Sequence, residues 1–69
     1  MIYRVSFTDQ YGEHQGYYYA GSKAEAEREI REWSKGGGEA HIAATHTTPK
    51  TKREVMDLLQ KWGMHNDNG

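Results

Sequence analysis

Cysteine is absent from this chain, so neither disulfide staples nor thiolate-bound zinc can hold it together. Aliphatic residues are scarce too: two Val, two Leu and three Ile among 69 residues. No apolar run is long enough to span a bilayer, and Met1-Ile2-Tyr3-Arg4-Val5 does not read as a signal peptide. Net charge is also missing, with nine Lys and Arg against ten Asp and Glu. The stretch up to Lys35 carries five positive and six negative residues, and the stretch from Gly36 carries four of each. Neither half sets up a field that would drive non-specific nucleic-acid binding. The expected protein is soluble and cytoplasmic, with no membrane partner.

What the chain does hold is aromatic: two Trp, five Tyr and one Phe. Each can bury about 150–250 Å², so these rings must replace the missing aliphatics. A domain this small buries only about 60% of its unfolded surface. The core is therefore expected to be thin, and a homodimer that covers one face would relieve the shortage.

Two helix starts organise the chain, Ser22-Lys23-Ala24-Glu25 and Thr51-Lys52-Arg53-Glu54. In each, a hydroxyl can accept from an orphan backbone N–H while the Glu three residues later returns a bond to the cap's own N–H. The first opens a helix over Lys23 to Lys35 with the stripe Ala26, Ile30 and Trp33. Glu27–Arg31 and Arg28–Glu32 have the spacing of ion pairs on its outer side. Gly36-Gly37-Gly38 ends it. The second opens a helix over Lys52 to Trp62 with the stripe Val55, Leu58, Leu59 and Trp62, and Gly63 and Met64 read as its C-terminal stop.

Period-two alternation marks three strands. Ile2 to Thr8 sets Tyr3, Val5 and Phe7 on one face and Arg4, Ser6 and Thr8 on the other. Across a turn at Asp9-Gln10-Tyr11-Gly12-Glu13, His14 to Ala20 turns Tyr18 and Ala20 inward and Tyr17 and Tyr19 outward. Glu39 to His46 sets Ala40, Ile42 and Ala44 inward and His41, Ala43 and Thr45 outward. A right-handed crossover that skips the first strand gives the order 2-1-3 with every neighbouring pair antiparallel. The expectation is an α+β two-layer sandwich of ββαβα order with a three-stranded antiparallel sheet. Both helices lie on its Tyr3, Val5, Phe7 face, and the other face is open. Residues 1–64 form the domain and 65–69 a polar tail.

The open face is the first candidate site. It displays Arg4, Ser6, Tyr17, Tyr19, His41 and Thr45, a set that can bury against a protein or stack nucleobases. The same pattern also suits a plain solvated face, where Tyr and Thr occur for their strand propensity. A second candidate is Lys50, Lys52 and Arg53 at the start of the second helix, where an anion would be held by N–H groups and side chains together. Its plain counterpart is a basic stretch offset by Glu54 and Asp57. The mixed-charge side of the first helix, with Glu25, Glu29 and Glu32 between Arg28 and Arg31, reads as a solvated surface. His41 and His46, five apart on one strand, point to opposite faces and cannot share a metal. No serine has a His neighbour to activate it, and the glycine run follows a helix where phosphate loops precede one. Neither catalysis nor a cofactor or metal is expected.

Tyr18-Tyr19-Ala20-Gly21-Ser22-Lys23-Ala24-Glu25-Ala26 resembles the strand-to-helix join of small phage and plasmid proteins. Trp62-Gly63-Met64-His65-Asn66-Asp67-Asn68-Gly69 is similar to the polar tails of short accessory proteins of phages, plasmids and integrative elements. The resemblance implies an accessory protein, such as an inhibitor of a host system, that acts by binding; it carries over no individual functional residue. The expected function is a non-enzymatic protein-binding module using Arg4, Tyr17, Tyr19 and His41. The alternative is a nucleic-acid binder that adds Lys50, Lys52 and Arg53, and a homodimer through the open face is a third reading.

Overall fold

The computed structural model describes residues 1–63. The elements follow the expected order: β1 (Ile2–Thr8), β2 (His14–Ala20), α1 (Lys23–Ser34), β3 (Glu39–His46) and α2 (Lys52–Lys61). The sheet has the order β2-β1-β3, with both pairs antiparallel. The contact expected of Met64 and the polar tail 65–69 lie outside the described residues.

Both helix starts form, with one change. Ser22 Oγ accepts from Glu25 N and Thr51 Oγ1 accepts from Glu54 N, each at 3.1 Å. The glutamates, however, accept from the residue before the cap and not from the cap itself. Gly21 N donates to Glu25 Oε1 at 3.1 Å and Lys50 N to Glu54 Oε1 at 2.6 Å. The extended caps aim their side chains at the third helical N–H, so the longer Glu reaches the preceding amide. Ser22→Ala or Thr51→Ala should each lower stability by about 1 kcal/mol in urea denaturation. No change in either variant would remove the caps from the account.

The β1–β2 turn is built around Asp9. Its Oδ1 accepts from Tyr11 N and Glu13 N, and its Oδ2 accepts from Gln15 Nε2, each at 2.9 Å. Gly12 takes a φ of +86° within this turn, as its position predicts.

Val5, Ala20 and Ala26 form the buried centre between the sheet and α1, ringed by Tyr3, Phe7, Tyr18, Ile30, Ala40 and Ile42. Small residues at the centre let α1 approach, and the rings cover the margins. Phe7 packs on Trp33 with centroids 4.9 Å apart, while the Trp33 indole donates to the Thr8 carbonyl at 2.7 Å. On the outer side of α1 the expected Glu27–Arg31 and Arg28–Glu32 pairs are not formed; Glu32 pairs with Lys35 at 3.2 Å.

Two expectations about faces are corrected. A bulge in β3 pairs Arg4 with Ala44 and Val5 with Ile42, which leaves Ala43 as the extra residue. Ala44 and His46 therefore move to the Arg4 face, and Thr45 moves to the Tyr3 face. His41 and His46, expected on opposite faces, share one. The second correction concerns α2. Trp62, at its C-terminal end, stacks on Tyr19 with centroids 5.7 Å apart and planes 25° apart, and meets the His46 ring edge-on at 5.9 Å. Tyr19 and His46 lie on the face opposite Val5, so the two helices occupy opposite faces and not one. The reason is width. Three strands about 4.8 Å apart span about 10 Å, and one helix with its side chains already covers that. With α1 in place, the second apolar stripe has only the Arg4 face left to bury against.

Candidate functional site

The antiparallel register gathers the four nominated residues. Arg4 faces Tyr19 on β2, Ser6 faces Tyr17, and on the other side Ser6 faces His41. All four of Arg4, Tyr17, Tyr19 and His41 thus share one face, as alternation predicts. The face is divided. Trp62 covers the end holding Tyr19, Ala44 and His46, while the end holding Tyr17, His14 and His41 is left uncovered by it. Tyr17 is 44% exposed, whereas Ser6 beneath it is 7% exposed.

Arg4 sits at the division. Its guanidinium carbon lies 3.6 Å from the Tyr17 ring centroid and 5.9 Å from that of Trp62. A cation over an aromatic face is worth about 0.5–2 kcal/mol, more as water is excluded. The rings continue outward: His14 lies 4.6 Å from Tyr17, and Tyr17 lies 6.5 Å from Tyr19. Arg4 Nε is buried with no hydrogen-bond partner among the described residues.

Trp62, His46 and His14 belong to this surface, and sequence reading missed them. Trp62 was legible as part of an apolar stripe, but not the face on which that stripe lands. His46 was misplaced by the unseen bulge. His14 could have been found by extending the alternation of Tyr17 and Tyr19, had the irregularity after it been visible. Thr45, expected here, lies on the other face.

Two of the three basic candidates, Lys52 and Arg53, do not join this surface. Lys52 and Arg53 line a shallow depression with Met56, Asp57 and Gln60. Helical spacing puts that depression on the side of α2 away from the Leu58–Trp62 stripe. Arg53 Nε lies 3.8 Å from Asp57 Oδ1, with the two side chains 87% and 65% exposed, so the pair contributes little to stability. The Lys50 amide is already held by Glu54. The aromatic rings beside Arg4 and the basic pair Lys52 and Arg53 therefore lie on different surfaces.

Elsewhere, polar groups are engaged structurally. Tyr18 Oη donates to Glu25 Oε2 at 2.5 Å. That bond, followed by the one from Gly21 N, holds the Glu25 carboxyl below its usual range, and it holds the Tyr18 phenol above its own. The backbone bond from Glu13, aided by Tyr11 and Gln15, likewise lowers Asp9. The sign follows for each. A lowered carboxyl stabilises the fold above its unfolded pKa, and that stability is lost as pH falls through the folded value. A raised Tyr stabilises below its unfolded pKa and loses the effect as pH rises through the folded value. Urea midpoints should therefore fall below about pH 4, the range of unfolded carboxyls. Asp9→Asn should lower the midpoint at neutral pH and flatten the acid limb; an unchanged limb would rule Asp9 out as a contributor.

Among the described residues no group of three His, Cys, Asp or Glu is arranged to hold a metal ion, and no helix is long and apolar enough to cross a membrane. Compared with known families, curated proteins and solved structures, the chain matches none.

Proposed function

We propose that this chain is a non-enzymatic protein-binding module whose contact surface is the uncovered part of the Arg4 face, led by Tyr17 and Arg4 with His41 at its side. One observation carries the reading: the Arg4 guanidinium carbon lies over the Tyr17 ring at 3.6 Å while Tyr17 stays 44% exposed. Tyr and Arg are the residue types that dominate binding energy at protein interfaces. Two long side chains already ordered against each other lose less entropy when a partner covers them. Tyr19, first grouped with the contact residues, acts in this reading as the platform on which Trp62 rests. On the sequence resemblance alone, the module would be an accessory protein of a phage, plasmid or integrative element, acting in the cytoplasm of its host.

The test is affinity capture from lysate of the encoding organism, with half the sample treated with nuclease, run in parallel with wild-type protein and Tyr17→Ala. The reading expects a protein partner that survives nuclease and is lost with Tyr17→Ala. Capture of the same protein by both forms would overturn the assigned surface. Capture that vanishes with nuclease would overturn the protein-binding reading itself.

A further inference from the structure

We infer that Arg4 is an anchor for a carboxylate, so that the uncovered face takes an acidic segment of another protein; this rests on the protein-binding reading above and names the partner's chemistry. Arg4 is half-buried and pairs with no carboxylate among the described residues. Among the described residues the ion pairs are Lys35–Glu32 and Arg53–Asp57, both on the helices. Its Nε is the one guanidinium nitrogen buried without a partner, which leaves the Nη edge as the reachable one. A guanidinium taken partly out of water and given only ring faces in return is incompletely compensated. A carboxylate at the Nη edge would supply the missing charge and accept two parallel bonds from the planar fork.

The surroundings favour an acid. By register, the strands put Arg4, His14, His41 and His46 on this face, and the one acidic side chain they put there is Glu39, which flanks Thr8 with His14 at the uncovered end, four residues along β1 from Arg4. Complementary charge steers an acidic partner in and disfavours a basic one. A single guanidinium flanked by aromatic and neutral polar groups suits a singly charged carboxylate. A phosphate carries more charge and calls for a cluster of cations. Lys52 and Arg53, which could have formed one, line the depression on the other side of α2.

The experiment is a titration of isotope-labelled full-length protein, followed by NMR at low salt through the Arg4 Nε–Hε and Trp62 indole signals. The probes are an end-capped hexaglutamate peptide, an end-capped hexalysine peptide and inorganic phosphate. The proposal expects saturable shifts of both signals with hexaglutamate and none with hexalysine. Arg4→Gln should abolish binding, and Arg4→Lys, which keeps the charge but loses the fork, should weaken it about tenfold. Retained signal dispersion in Arg4→Lys shows that the fold is intact. Absent or non-saturating shifts would overturn the anchor, as would shifts confined to residues 50–53. Equal shifts with phosphate would overturn the choice of carboxylate. A partner captured through Tyr17 but indifferent to Arg4→Lys would leave the protein-binding reading standing and remove this inference alone.

Discussion

Trp62→Ala is expected to release α2 from the sheet and to lower stability by about 3 kcal/mol or more, the usual cost of removing a buried Trp. Trp62 is 7% exposed and its ring is shared by Tyr19, His46 and, more distantly, Arg4. Leu58, one turn earlier, is 5% exposed, while Val55 and Met56 near the start of the helix are 40% and 46% exposed. The helix is thus held chiefly by its C-terminal half. A domain of this length has only roughly 3–10 kcal/mol of stability in total, so the loss is a large share of it. Urea denaturation followed by far-ultraviolet circular dichroism should show a lower midpoint and reduced helix signal. Trp62→Phe, which keeps a stacking ring, should recover much of both. A Trp62→Ala variant within about 0.5 kcal/mol of wild type would mean that the ring contacts do not hold the helix.

Gly38→Ala should be the second most damaging change, for a steric reason. A Cβ at Gly38 would collide with Nε1 and Cε2 of Trp33 and with the Thr8 carbonyl oxygen. These are the two partners of the bond that ties the end of α1 to the end of β1. The carbonyl belongs to the β1 backbone, and the indole can move aside only by giving up its bond to that carbonyl and its packing on Phe7. Overpacking of this kind costs about 1–3 kcal/mol, and a stranded indole N–H or carbonyl adds about 1–3 more. Gly36→Ala is the control. Its Cβ would meet only the Trp33 carbonyl oxygen, at 3.6 Å, an ordinary contact, and should change stability by no more than about 0.5 kcal/mol. The expected pair of results is a large drop in melting temperature for Gly38→Ala with fast exchange of the Trp33 indole proton, and little change for Gly36→Ala. Equal effects would indicate that the glycine run serves only as a helix stop.

The contrast between those two glycines shows where sequence reading reaches and where it stops. Gly36-Gly37-Gly38 is legible as the end of a helix, because glycine terminates helices by local backbone entropy. That Gly38 is also the floor beneath Trp33 depends on a partner in another strand, which no local pattern reveals. The same division runs through the fold. Ser22 and Thr51 announce their helices through bonds made within four residues. The alternation of Tyr3, Val5 and Phe7 announces a strand and its faces. Strand order then follows from connection handedness. The bulge at Ala43 was hard to see, since the string from Glu39 to His46 carries neither Gly nor Pro and its one signal is the break in alternation at Ile42-Ala43-Ala44. It takes one unpaired residue to carry Ala44 and His46 across the sheet. The side on which α2 lands was hidden for a related reason: an apolar stripe shows that a helix must bury a face, but not against what. The candidate surface inherits this mixture. Arg4, Tyr17, Tyr19 and His41 were visible as one face, but the half-cover provided by Trp62 was not.

The most direct test of the account is the nuclear Overhauser spectrum of the full-length protein, read at the Trp62 ring. With α2 on the Arg4 face, its protons should show cross-peaks to the rings of Tyr19 and His46 and none to Val5, Ile30 or Ile42. Cross-peaks from Trp62 to Val5, Ile30 or Ile42 would place both helices on one side of the sheet. The Arg4 face would then be uncovered from end to end, and the divided surface described here would be wrong.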